Sequence, residues 1–198
     1  MKIKHLFLIP IMILLVSACS QIAPPNISSP KALGELIADL KTIAKTYDIV
    51  KVDITEKDKL TGDFGFVVLD LIKDGENYSQ VLYYNYGIAH NDPKKKKSSS
   101  LRKTQPINVE DIEKQQNNIE TYLENAKRQI VENFEGYSFE SIGSIEFYIN
   151  KDGNFETKLT ANITEDNNST RREGGRMVTD YYSIEFIVDG DGNVVYKE

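Results

Sequence analysis

Hydrophobic residues recur along the chain with two different periods. Over 30–46 and again over 108–134 they return every three or four positions, which predicts two amphipathic helices. Elsewhere they alternate with polar residues or form short runs between turn residues, which predicts β-strands. The predicted strands are 49–54, 64–72, 78–86, 139–149, 155–163, 177–188 and 194–196. The pattern therefore predicts an α+β fold with antiparallel strands after each helix.

Local signals mark where these elements begin and end. Ser29 followed by Pro30 is typical of a helix start. Asn108 with Asp111 is similar to a capping box at the start of the second helix, and Gly136 stands just past its end. Turn residues that predict hairpins occur at 73–77, 150–154 and 189–193.

The two halves of the chain follow one plan, a helix and then an antiparallel meander. We expect one unit with three strands over 30–90 and a second with four strands over 107–198, its long helix packed across the sheet. The segment 91–106 carries six basic residues and no apolar face, which predicts a flexible loop or linker. The units can form two domains or a single domain spanning 30–198.

The element order of the second unit, a long helix and then an antiparallel sheet, resembles that of cystatin-like and nuclear-transport-factor-like folds. The resemblance implies a helix lying across a curved sheet. It concerns element order alone, so it transfers no site residue to this chain.

The first eighteen residues have the composition of a targeting segment. Lys2 and Lys4 precede an apolar run over 6–16, and small residues follow at 17–18. This is typical of a secretory signal peptide. The run is shorter than the roughly 20 residues that a membrane-spanning helix needs, and Pro10 disfavours a stable helix there.

The ending Leu15-Val16-Ser17-Ala18-Cys19 resembles the lipobox of bacterial lipoproteins. The resemblance implies that a diacylglycerol is joined to the thiol of Cys19, that a peptidase removes 1–18, and that acyl chains such as palmitate hold the protein on the extracytoplasmic side of a membrane in the cell envelope. Two acyl chains suffice for stable anchoring. The alternatives are an ordinary signal peptide with an incidental cysteine and an uncut N-terminal anchor.

Residues 19–29 predict a lipidated tether, because they are small or polar and include two adjacent prolines that favour an extended chain. Such a segment spans at most about 30 Å. The domain is therefore expected to work close to the lipid surface.

Charge and composition exclude several classes of function. The chain has 24 basic and 30 acidic residues, and without Lys2 and Lys4 it has 22 against 30, a net charge of −8, which argues against nucleic-acid binding. Cys19 is the only cysteine, so no disulfide can form within the chain. His90 is the only histidine after the signal segment. A catalytic triad would therefore have to use His90, and a catalytic zinc site would have at most one histidine ligand. We expect no catalytic residue, no metal and no cofactor.

The acidic turn at 189–193 has the first three ligand positions of a calcium loop. Val194 stands where that loop requires glycine, and the chain ends at Glu198 before the twelfth position. A hairpin turn is therefore the better interpretation. No pair of carboxylates is singled out for glycoside hydrolysis.

The basic segment is the most unusual local feature after the N-terminus. Its cations could contact anionic lipid head groups, an anionic wall polymer or an acidic protein, or could simply be solvated. The residues that could make these contacts are Lys94, Lys95, Lys96, Lys97, Arg102 and Lys103.

On the preceding predicted strand, four tyrosines at 78, 83, 84 and 86 predict either an exposed contact face or ordinary packing.

These observations favour a non-enzymatic, membrane-anchored binding module whose partner is an envelope protein. The alternatives are a carrier of a lipid or small apolar ligand and a cell-wall hydrolase. A closed apolar cavity would favour the carrier, and a cleft with two facing carboxylates would favour the hydrolase. A filled core with an exposed tyrosine-bearing face would favour the binding module.

Overall fold

The computed structural model describes residues 25–84, 90–97, 105–167, 170–189 and 191–197. Within them the helices are α1 (Pro30–Ile43), α2 (Val109–Gln115) and α3 (Ile119–Asn133). The strands are β1 (Asp48–Glu56), β2 (Phe64–Lys73), β3 (Glu76–Tyr83), β4 (Lys94–Lys95), β5 (Tyr137–Ile149), β6 (Phe155–Glu165), β7 (Thr170–Glu173), β8 (Arg176–Thr179), β9 (Tyr182–Val188) and β10 (Val194–Tyr196). The predicted α+β class is confirmed.

Eight of the strands form one antiparallel sheet in the order β10-β9-β6-β5-β1-β2-β3-β4. Both predicted units contribute to it, because β1 pairs with β5. β7 and β8 pair with each other in a separate two-stranded sheet. The first strands of the two units thus lie side by side at the centre of the sheet.

Strand register gathers the apolar residues on one face of this sheet. Ile54 opposes Val67 on β2 and Ile145 on β5, and Leu159 on β6 continues the row. These four side chains are fully buried. Helices α1, α2 and α3 bury their own apolar residues in the same hydrophobic cluster. The helices therefore cover one face, and we call the other the open face.

The helix predicted for 108–134 is two helices, so the prediction of one continuous element is wrong. The break at 116–118 contains three amide side chains, which compete with helical backbone hydrogen bonding. Gln116 Nε2 donates to the carbonyl oxygen of Pro30 at 2.5 Å, which ties the break to the start of α1. The predicted cap is confirmed, since Asn108 Oδ1 accepts a hydrogen bond from the backbone N–H of Glu110 at 3.0 Å.

The strand predicted for 177–188 is also divided. Its first part is β8, which pairs with β7, and its second part is β9 in the main sheet. Gly174 and Gly175 make the β7–β8 turn with φ values of 54° and 85°. Two glycines in the left-handed region allow this tight reversal.

Within 91–97, the basic segment is hydrogen-bonded to the main sheet. The backbone N–H of Asn91 donates to Val81 O at 3.0 Å, and that of Lys96 donates to Asn77 O at 2.8 Å. β4 thus lies along β3 at the edge of the main sheet. The remainder, 98–104, lies outside the described residues.

Part of the predicted tether is docked on the domain. The backbone N–H of Phe64 donates to Pro25 O at 2.8 Å, and that of Ile27 donates to Gly62 O at 2.7 Å. Ile27 is fully buried. The segment before Pro25 lies outside the described residues. Among those that are described, no helix has the length and apolar content needed to cross a bilayer.

The central register predicts where the fold is most sensitive to truncation. Ile54→Ala should lower the free energy of unfolding by about 2–5 kcal/mol, because it leaves a cavity between the two units. Thr55→Ala, one position along on the open face, should cost less than about 1 kcal/mol. Urea unfolding followed by circular dichroism measures both. Equal effects at the two positions would contradict the assigned faces.

Candidate functional site

The open face is the largest surface of the sheet without a covering helix among the described residues. Its side chains alternate with the core residues along each strand, and they are half-buried by their own neighbours. None of its apolar residues belongs to the hydrophobic core cluster. Its main members are Lys51, Asp53, Phe66, Val68, Asp70, Val81, Tyr83, Glu146, Tyr148, Lys158, Glu185 and Ile187.

One part of the open face is apolar. Phe66 on β2 opposes Tyr83 on β3, and Val68 opposes Val81 in the next pair on this face. We call these four residues the apolar patch. Directly opposed residues on an antiparallel pair have side chains in contact range. The patch is therefore one continuous surface shared by two strands.

A row of ion pairs crosses the strands beside this patch. Lys51 Nζ lies 2.7 Å from Glu146 Oε2, which also lies 3.5 Å from Lys158 Nζ. Lys158 Nζ continues the row to Glu185 Oε1 at 3.3 Å. Asp53 lies beside Lys51, with its carboxylate 3.7 Å from the ammonium. We call these five residues the ion row.

Electrostatics in the ion row follow from partial burial. Burial acts to lower the pKa of Lys51, but the hydrogen bond and charge of Glu146, with further help from Asp53, raise it overall. Burial raises the pKa of Asp53, and the Lys51 ammonium offsets this only in part. Burial and a 2.6 Å hydrogen bond to Glu156 raise the pKa of the neighbouring Tyr148.

The predicted cation cluster is divided in the structure. Lys95 Nζ lies 3.1 Å from Glu76 Oε2, and Lys96 Nζ is paired with Asp70 on the open face. Lys94 and Lys97 are exposed. Arg102 and Lys103 lie outside the described residues, as does Cys19, so the anionic-contact role and the lipid site both stay predictions.

For the tyrosines at 78, 83, 84 and 86 the sequence predicted either a contact face or ordinary packing, and the described ones lie on both faces of the sheet. Tyr78 and Tyr84 pack against the hydrophobic core from the helix side, whereas Tyr83 belongs to the apolar patch. Tyr86 lies outside the described residues. The open face therefore takes one tyrosine from this strand and gains Tyr148 from β5, which the sequence pattern did not single out.

His90 is held in a polar cluster beside α1. Its Nδ1 accepts a hydrogen bond from the backbone N–H of Tyr83 at 3.0 Å, and its Nε2 lies 3.4 Å from Asp39 Oδ2. The same carboxylate oxygen accepts the hydroxyl of Tyr84 at 2.6 Å, and burial followed by this bond raises the pKa of Tyr84. Both imidazole nitrogens thus have partners within the fold.

A buried polar network lies at the end of β1, and no sequence pattern predicted it. Glu56 Oε1 accepts from Asn162 Nδ2 at 2.8 Å, and Oε2 accepts from Ser141 Oγ at 3.1 Å and from the backbone N–H of Gly62 at 3.2 Å. The Glu56 side chain is 0% exposed. A Cβ on Gly143 would lie only 2.8 Å from Asn162 Nδ2, so the glycine leaves room for this amide. These contacts satisfy a buried charge and fix the connection after β1.

Two open grooves lie on the described part of the domain, and charged side chains contribute to the lining of both. The larger, about 640 Å³, lies between α2 and the turns at 150–154 and 189–193. The second, about 420 Å³, lies between the end of α1 and residues 106–110.

The predicted hairpin turn at 189–193 is confirmed, since Asp189 Oδ1 accepts from the backbone N–H groups of Asp191 and Asn193, each at 2.9 Å.

Carboxylates in the larger groove are held by the fold. Hydrogen bonds from Asn193, with smaller help from the Asp191 backbone, lower the pKa of Asp189. Glu156 accepts hydrogen bonds from Tyr148 and Asn150, each at 2.6 Å. A glycosidase acid needs a raised pKa, which is the opposite of what Asp189 has. Across the part of the chain that the structure describes, no three His, Cys, Asp or Glu side chains come together as a metal site.

Comparisons with known proteins give few matches. No protein-family model matches the chain, and no curated protein matches it. A solved structure is similar to it: the crystal structure of a "putative lipoprotein" from Clostridium difficile 630. The two share 15% sequence identity with a TM-score of 0.45, over 88% of this chain and 95% of that chain.

The buried network predicts a large cost for removing its carboxylate. Glu56→Ala should lower the free energy of unfolding by about 2–4 kcal/mol, because the Asn162 amide and the Gly62 N–H lose their acceptor. Glu113→Ala is the control. That carboxylate pairs with Lys41 on the surface at 2.8 Å, and its loss should cost at most about 1 kcal/mol. Urea unfolding curves compare the two, and an unchanged midpoint for Glu56→Ala would refute the role of the network.

The raised pKa of Asp53 predicts a pH dependence of stability. The unfolded chain releases this proton near the ordinary pKa of 3.8, and the folded protein releases it at higher pH. The folded protein therefore binds more protons between the two values, so this group makes the free energy of unfolding fall as pH rises through that window. Asp53→Asn removes this decrease in the free energy of unfolding. The free energy of unfolding of the variant minus that of wild type should therefore increase from about pH 3 to about pH 7. Urea unfolding across this range measures the difference, and a constant or shrinking difference would contradict the assignment.

Proposed function

We propose that the protein is a bacterial lipoprotein that is anchored through Cys19 and acts as a non-enzymatic binding module for an envelope protein. The open face carries the proposal. It offers an aromatic and aliphatic patch beside a row of oriented charges, with no covering helix among the described residues. Protein interfaces combine these features, an apolar centre with a polar surround.

The interior supports a binding module more than a carrier. Large side chains fill the space between helices and sheet, including Phe64, Phe147 and Phe186, each no more than 1% exposed. The two grooves described above lie on the surface and include charged side chains such as Lys114, Asp189 and Lys41. A carrier of an apolar ligand needs an enclosed apolar pocket. The larger groove gives the hydrolase alternative little support, since the lowered pKa of Asp189 does not suit the acid of a glycosidase.

The anchor is tested by replacing the thiol. Cys19→Ser should abolish incorporation of radiolabelled palmitate and move the protein from the membrane fraction to the soluble fraction, because no acyl chain can be joined to serine in this way. Ser20→Ala is the matched control and should keep both label and attachment. Unchanged membrane attachment in Cys19→Ser would contradict the proposal.

The binding surface is tested by charging the apolar patch. In crosslinking and pull-down from its own membranes, the lipidated Val68→Lys, Val81→Lys variant should capture at least tenfold less of the wild-type partner, because two ammonium groups would be buried at the interface. Val131→Lys is the control, since that valine lies on α3 and is 75% exposed. Phe66→Ala provides a second variant that adds no charge. Equal capture by all variants would refute the open face as the contact surface.

A further inference from the structure

The hairpin formed by β7 and β8 is a separate two-stranded sheet, outside the main sheet and its open face. All four residues of β7 are exposed, as are Arg176 and Met177 of β8. Met177 is 69% exposed, one of the largest apolar exposures on the domain. An isolated two-stranded hairpin is at best marginally stable in water. A hairpin of this kind is therefore typically stabilised by packing against another surface.

The position of Pro25 shows where the chain leaves the domain. Its carbonyl oxygen accepts from the backbone N–H of Phe64, and Asn26 forms an antiparallel bridge with Asp63. The exit point is thus fixed at the end of the sheet where β1 finishes and β2 begins. We call this the exit end.

The hairpin begins at the same end of the sheet. Thr55 opposes Ser144 on β5, and Tyr137, the first residue of that strand, opposes Glu165 at the end of β6. β7 and β8 lie between this end of β6 and the start of β9. A direct contact agrees with the register, since Lys59 Nζ lies 6.0 Å from the centre of the Tyr181 ring at the foot of the hairpin.

Chain length limits how far the exit end can be from a membrane. Pro25 is the sixth residue after Cys19, so the chain between them spans at most about 20 Å when fully extended. The four-residue strands of the hairpin extend about 13 Å from its foot to its tip. With an acyl chain on Cys19, the hairpin is therefore within reach of the head-group layer.

Two of the hairpin's cations are available for that layer. Arg171 is paired with Asp180 and lies 3.5 Å from Glu173. Arg172 and Arg176 form no ion pair among the described residues. Arg172 directly opposes Met177 across the hairpin, so a cation and a flexible apolar side chain share one face. That combination suits an anionic interface, where guanidinium groups bind phosphate and thioether side chains enter the acyl boundary.

The lysines of β4 are less suited to this contact. Tyr78, which opposes Lys95, also opposes Leu71, and Leu71 lies seven positions along β2 from Phe64 at the exit end. Seven strand residues span about 23 Å. Lys95, and Lys96 directly after β4, are already paired with carboxylates.

We propose that the β7–β8 hairpin is a second membrane contact of the anchored protein, in which Arg172, Arg176 and Met177 engage anionic phospholipid head groups. The inference rests on the proposed lipid anchor at Cys19. It adds that the exit end of the domain faces the bilayer and that the hairpin touches it.

The test uses the full-length lipidated protein in vesicles of phosphatidylcholine and phosphatidylglycerol that contain a brominated lipid. Met177→Cys provides one labelling site for a fluorophore, because Cys19 is the only native cysteine and its thiol carries the lipid. Lys94→Cys is the matched control at the other end of the sheet. Flotation of the vesicles reports the anchor independently of the fluorescence.

We expect the label at position 177 to be quenched by the brominated lipid and the label at position 94 to remain unquenched. Adding Arg172→Gln and Arg176→Gln should reduce the fraction of quenched label several-fold in anionic vesicles, since each cation near such a surface contributes about fivefold in affinity. Flotation without quenching at position 177, equal quenching at both positions, or quenching unaffected by the arginine substitutions would overturn the hairpin contact while leaving the anchor intact. Loss of flotation would overturn the anchor itself and the hairpin contact with it.

Discussion

The antiparallel pairing of β1 with β5 is the interaction on which the rest of the structure depends. It places Val52 opposite Phe147 and Ile54 opposite Ile145, so the apolar faces of both units lie on the same side. A slip of one residue would turn this row outward and bring Lys51 into the core. Because β2 and β6 take their register from these two strands, the helix-covered face and the open face both follow from one pairing.

A second constraint is the buried carboxylate of Glu56, which links the sheet to the N-terminal segment. Removing a carboxylate from water is costly, and its hydrogen bonds to Asn162, Ser141 and Gly62 offset that cost. The carbonyl of Gly62 in turn accepts the N–H of Ile27. Through Gly62, the buried carboxylate of Glu56 therefore helps to fix the position at which the chain leaves the domain. This position sets how many residues of the tether remain outside the domain.

Local pattern predicted the parts of the fold that depend on local sequence. The spacing of the apolar residues predicted α1 and the central strands. The cap of α2 was predicted from Asn108 and Asp111, which lie within one turn of each other. The features that were missed depend on distant partners. The break between α2 and α3 is tied to a residue 86 positions away, and Glu56 bonds to residues 85 and 106 positions away. No window of sequence contains both members of such a pair.

A weaker signal did point to the buried network. Gly65 and Gly143 interrupt segments that otherwise have strand character, and a glycine within a strand often marks a close approach of another group. A Cβ at Gly65 would lie 2.6 Å from the backbone of Lys57, and the one at Gly143 would meet Asn162. Both glycines border the Glu56 network, so the positions were visible in the sequence although the partners were not.

Fixed ion pairs on the open face lower the cost of binding there. Glu146 is shared by Lys51 and Lys158, so these long side chains already have restricted conformations in the free protein. Ordering such side chains at an interface otherwise opposes association by about 0.5–1.5 kcal/mol each. A partner that covers the apolar patch and offers charges complementary to the ion row would meet a surface that needs little rearrangement. In the orientation that we propose, with the exit end toward the bilayer, the strands would lead away from the lipid, and the open face would stand beside the membrane, accessible to an envelope protein.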